Sequence, residues 1–118
     1  MVQTLLLALL VSAAQAGASP PAAPQPAWKT YAECSAAHYA DARVPDLKRT
    51  MPLKDQIMEL GRRYSAEALS LRQTEAGVSK ARAYAYTKSY IKERTRLLAL
   101  RPRLDIKAVI DTCPALGE

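Results

Sequence analysis

Two cysteines and one histidine are the only thiol and imidazole groups in this 118-residue sequence. Cys34 and Cys113 are far from C-x-x-C spacing, and there is no third thiol or second histidine to complete a zinc site. An even pair placed near the two ends of a small domain predicts a structural disulfide. His38 follows Cys34 by about one helical turn in Cys34-Ser35-Ala36-Ala37-His38, but the C-x-x-C-H haem-attachment pattern is absent. A haem- or metal-carrying bundle would need His38 to converge with Met51 or Met58. The simpler expectation is an ordinary, partly exposed histidine, with no metal site and no cofactor.

Acid–base and nucleophilic chemistry have little to work with here. No Ser-His-Asp, zinc or phosphate-loop pattern is present, so no enzyme is expected. The charged residues point instead to binding. Lys80 to Arg103 is dense in Lys and Arg against a single acid, Glu93. A helical wheel sets Arg82, Lys88, Lys92 and Arg96 opposite the apolar stripe, as a candidate face for an acidic protein or for an anionic lipid or lipopolysaccharide surface. Nucleic acid is not expected as a partner, because no recognition-fold signature accompanies the charge. Arg94 projects from the middle of the apolar face, and Glu67 sits near the apolar stripe of the preceding helix. A buried Arg94–Glu67 ion pair is the expectation, with a pocket for an anionic ligand at Arg94 as the alternative.

Helices must position these groups. Over residues 28–43 a rotation of about 100° per residue puts Trp28, Tyr31, Ala32, Ser35, Tyr39 and Ala42 on one face, and Val44-Pro45-Asp46 ends the run. Thr50 reads as an N-cap before Met51-Pro52-Leu53, and Leu53, Ile57, Leu60, Tyr64, Ala68 and Leu71 form a narrow stripe. Gly61 borders that stripe and suits close approach of another helix. Gly77 ends this helix and Ser79 caps the next, whose expected apolar face holds Ala83, Tyr84, Tyr86, Tyr90, Ile91, Leu97 and Leu98. After Arg101-Pro102-Arg103, Asp105 is the expected cap of a short last helix carrying Ile106, Val109, Ile110 and Cys113. No strand period and no internal repeat appears. The fold class is all-α, a small antiparallel bundle of about four helices closed by one disulfide.

The first 28 residues carry no Lys, Arg, Asp or Glu, so the net charge of +6 belongs to the rest of the chain. Residues 5–11 read LLLALLV, too short an apolar run for a membrane span, and Ala14-Gln15-Ala16 or Ala16-Gly17-Ala18 offers a small-residue cleavage site. The expected organisation is a signal peptide over 1–18, a Pro-rich flexible spacer over 19–26 and a helical domain over 27–118. A cleaved signal implies a periplasmic or secreted protein, the setting in which a disulfide persists. The segment before the apolar run lacks the usual positive charge.

The stretch Tyr31-Ala32-Glu33-Cys34-Ser35-Ala36-Ala37-His38-Tyr39, together with Val109-Ile110-Asp111-Thr112-Cys113, resembles short exported helical proteins of Gram-negative bacteria. Acid-stress chaperones and small immunity proteins against secreted toxins share the same form. These readings together imply a non-enzymatic exported helical protein that binds an envelope component or a protein partner, in stress protection or as an adaptor. An immunity or inhibitor protein against a secreted toxin or enzyme is the alternative. The ligand, the oligomeric state and the role of the basic helix are left open by the sequence.

Overall fold

The computed structural model describes residues 25–45 and 49–117. The expected signal peptide and most of the Pro-rich spacer lie outside the described residues. Four helices and no strand are found among the described residues: α1 (Ala27–Arg43), α2 (Met51–Ala76), α3 (Lys80–Ala99) and α4 (Arg103–Asp111). None is long and apolar enough to cross a membrane.

Their ends follow from local chemistry. Pro26, at the edge of the expected spacer, is already the N-cap of α1, and its carbonyl accepts from the Lys29 and Thr30 amides. Thr50 caps α2 by accepting from the Leu53 amide at 3.3 Å, with Pro52 in the first turn where a missing N–H costs nothing. Gly77 closes α2 in the left-handed region, φ 61°, and Ser79 opens α3 by accepting from the Arg82 amide. Asp105 is not the cap of α4. Pro102 holds that position, and Asp105 lies in the first turn within 3.6 Å of Arg101.

The arrangement is less symmetric than an up-and-down bundle. α2 and α3 each pack on α1 far more extensively than on each other, and α4 also lies chiefly on α1. Nearly every residue of α1 from Cys34 to Ala42 is buried, on all sides rather than along one face. Small side chains allow this: Ala32, Ala36, Ala37 and Ala40 are fully covered and let neighbouring backbones close in. The clearest contact is at Gly61 of α2. Its carbonyl accepts the Ser35 hydroxyl at 2.7 Å, and a Cβ there would lie 2.6 Å from the Tyr39 ring. Gly61 therefore serves the close approach that its place beside the stripe implies.

The face of α3 is rotated from expectation. Its buried row is Ala83, Thr87, Ile91, Thr95 and Leu98, whereas Tyr84, Tyr86 and Leu97 are exposed. Against a crowded alanine helix, threonine fits where tyrosine would overpack. Tyrosines move to the flanks, where the Arg72 guanidinium lies 4.0 Å from the Trp28 ring centroid and 5.2 Å from that of Tyr86. Trp28 meets Tyr90 edge to face.

The Cys34–Cys113 disulfide forms, with Cα atoms 5.8 Å apart across a separation of 79 residues. The segment after α4 is further tied to α2, since the Tyr64 hydroxyl donates to the Pro114 carbonyl at 2.6 Å and Arg63 donates to that of Gly117. At the other end of α1, Asp41 receives two guanidinium groups. Arg49, almost fully buried, reaches its carbonyl at 2.7 Å and its carboxylate at 3.3 Å, and Arg103 approaches the carboxylate at 3.6 Å. One acid thus joins the start of α2 and the start of α4 to the end of α1.

Candidate functional site

Because α2 and α3 diverge over α1, an open groove of about 670 Å³ runs between them, within the roughly 300–1,000 Å³ of ligand sites. Its base is built from Tyr39 and Ala42 of α1, with Met58, Ala66 and Leu69 of α2 and Ile91 of α3 contributing apolar surface. Each wall follows from helical spacing. Lys54, Met58, Arg62, Ala66 and Leu69 recur every three or four residues on α2, and Tyr84, Thr87 or Lys88, Ile91 or Lys92 and Thr95 do so on α3.

The charge on these walls has one sign. Arg43, Lys54, Arg62, Lys88 and Lys92 line the groove, and no Asp or Glu does among the described residues. Arg62 is shared with Glu59 at 2.8 Å on the solvent side, and the Lys88 ammonium sits 5.5 Å from the Tyr84 ring centroid. With apolar surface below, the field of the cations is less screened than on a flat surface. The groove is suited to an elongated anionic partner with an apolar side.

One polar atom of the wall has no partner. The Thr87 hydroxyl is buried and makes no hydrogen bond, whereas Thr95, two turns along the same row, donates to the Ile91 carbonyl at 2.7 Å. Thr87 is only 2 % exposed, so the unpaired hydroxyl is a cost to the isolated fold.

The expected basic face divides. Lys88 and Lys92 stand on the groove, but Arg82 and Arg96 are not among its lining residues, and Arg96 is held by Glu93 at 2.6 Å. That hydrogen bond keeps the Glu93 carboxyl below the usual carboxylate range. Arg43, Lys54 and Arg62, the other groove cations, lie on two different helices. Their convergence follows from how those helices pack against α3, so no pattern along one helix could have revealed it.

The Arg94–Glu67 pair does not form. Arg94 is half-buried with its Nε 3.6 Å from Glu33 of α1, while Glu67 is exposed on α2. α1 lies between the two outer helices on that side, so a side chain leaving α3 meets α1 first. Tyr90 joins the cluster by donating to Glu33 at 2.9 Å; burial first, and this bond second, push its phenol well above the ordinary range. Arg94 is thus part of a structural cluster rather than a ligand pocket.

His38 is buried, not partly exposed. Its ring stacks on Tyr64 with centroids 5.4 Å apart, and burial lowers its pKa although Asp41 acts in the opposite sense. Met51 is exposed at the start of α2 and Met58 lines the groove, so the three groups do not form a common site. Among the described residues no cluster of His, Cys, Asp or Glu could hold a metal ion. No family model matches the chain, and no curated protein or solved structure matches it either.

Proposed function

We propose that this is a non-enzymatic binding protein that works outside the cytoplasm and holds an acidic partner in the groove between α2 and α3. The observation that carries the reading is the pair of cationic walls, free of carboxylates among the described residues, over an apolar base. The apolar N-terminal run with its small-residue cleavage sites, and the disulfide, support export. The hydroxyls on the groove, Ser65, Thr87 and Thr95, have no histidine beside them there to act as a base, which favours binding over nucleophilic catalysis. An immunity or inhibitor role is the form this reading takes when the acidic partner is a toxin or enzyme.

The test is affinity capture from the envelope fraction of the producing organism, with proteins and lipids both identified by mass spectrometry. The triple variant Arg62→Gln, Lys88→Gln, Lys92→Gln serves as comparison. The wild type should retain an anionic partner that is released by salt and absent from the variant. Equal retention of that partner by the neutralised protein would refute the groove as the working surface.

A further inference from the structure

We infer that the occupant of the groove is an acidic amphipathic helix of a partner protein, which takes the place of a fourth long helix in the bundle. This rests on the groove being the working surface. The bundle has three long helices of 17, 26 and 20 residues, and its fourth has only 9 and lies chiefly on α1. Four-helix bundles cover every helix on its apolar side by a neighbour. Here the side where α2 and α3 diverge has none.

The dimensions fit a helix. Along α2 the groove runs from Lys54 to Leu69, which at about 1.5 Å per residue is about 22 Å, or four turns. The charges fit as well. Lys54 and Arg62 stand on one wall, Lys88 and Lys92 on the other, and Arg43 at the end of α1. A helix with an apolar stripe flanked on both sides by Asp or Glu would set carboxylates against both walls, as flanking charges do in coiled coils. A fatty acid or lysolipid carries its charge at one end and would leave the rest of the cations unmatched.

The test places a photo-reactive phenylalanine at Met58 or at Leu69, with Leu104 on the outer surface as control, in full-length protein made by the producing organism. Crosslinked peptides are sequenced after irradiation. The two groove positions are 11 residues apart on α2, or about 16 Å. They should capture one partner segment at points about 11 residues apart, with apolar residues at helical spacing and acids beside them. Capture points only about five residues apart would mean an extended segment, at about 3.3 Å per residue, and would overturn the helix. So would a lipid adduct or a peptide of this chain; in each case the groove itself would stand as the binding surface. Capture through Leu104 but from neither groove position would overturn both the helix and the proposed function.

Discussion

Breaking the Cys34–Cys113 bond should remove a large share, about half or more, of the stability of the domain. The bond closes a loop across a separation of 79 residues, and the chain-entropy relation assigns about 15 cal/mol/K to such a loop, or about 4.5 kcal/mol at 25 °C. A domain of this size has a total stability of about 5–10 kcal/mol, so the loss is roughly half of it or more. With a urea m-value of about 1.3 kcal/mol per molar, the midpoint should fall by about 3 to 4 M, and the melting temperature by about 20 °C or more. The variant to use is Cys34→Ala with Cys113→Ala, because Cys34 is buried and serine would place an unpaired hydroxyl in the core. Circular dichroism followed through a urea titration reads both midpoint and slope. The slope should rise as well, since an unfolded chain without the crosslink exposes more surface. A loss below about 1 kcal/mol would refute the loop-entropy reasoning.

Gly61→Ala should destabilise by about 1 kcal/mol, because about 1 kcal/mol of helix propensity is outweighed by overpacking against Tyr39; in a Tyr39→Ala background the same change should stabilise, and a denaturation cycle over the four proteins checks the sign reversal. The pKa of His38 is lowered on folding, chiefly by burial. The unfolded chain therefore binds the proton more readily: the contribution to stability is complete above about pH 6.5 and is lost as the pH falls towards the folded-state value. Urea midpoints at pH 7.5 and 5 should fall further for the wild type than for His38→Phe, and equal falls would show that His38 is not the group responsible.

The parts of the fold visible in the sequence are those set by one or two residues. Thr50 and Ser79 mark helix starts through their side-chain oxygens, Pro52 and Gly77 mark a start and an end through their backbone preferences, and all four act as their types imply. Gly61 and the cysteine pair are legible for the same reason. The helix α1 is legible too, at 28–43, but its central burial is not, because Ala, Ser and Cys carry almost no hydropathy contrast, so a helix buried on all sides looks like one with a weak face. The rotation of α3 was hidden by its chemistry: tyrosine counts as apolar yet tolerates water at its hydroxyl, and threonine counts as polar yet can donate to its own helix, as Thr95 does. Lys88 and Lys92 were identifiable on one helix. Their companions Arg43, Lys54 and Arg62 reach the groove only through tertiary packing.

The central position of α1 also has a consequence for the order of events during synthesis. The helix that fills the middle of the protein is the first of the four to leave the ribosome, and what surrounds it arrives afterwards. Its covalent link to the rest, at Cys113, comes after α4. A lone helix of 17 residues is marginal in water, so the growing chain has no stable unit to form until α2 and α3 have emerged. Such a chain stays open while α1 is the only helix made, and the partners that bury it are supplied by the helices that follow.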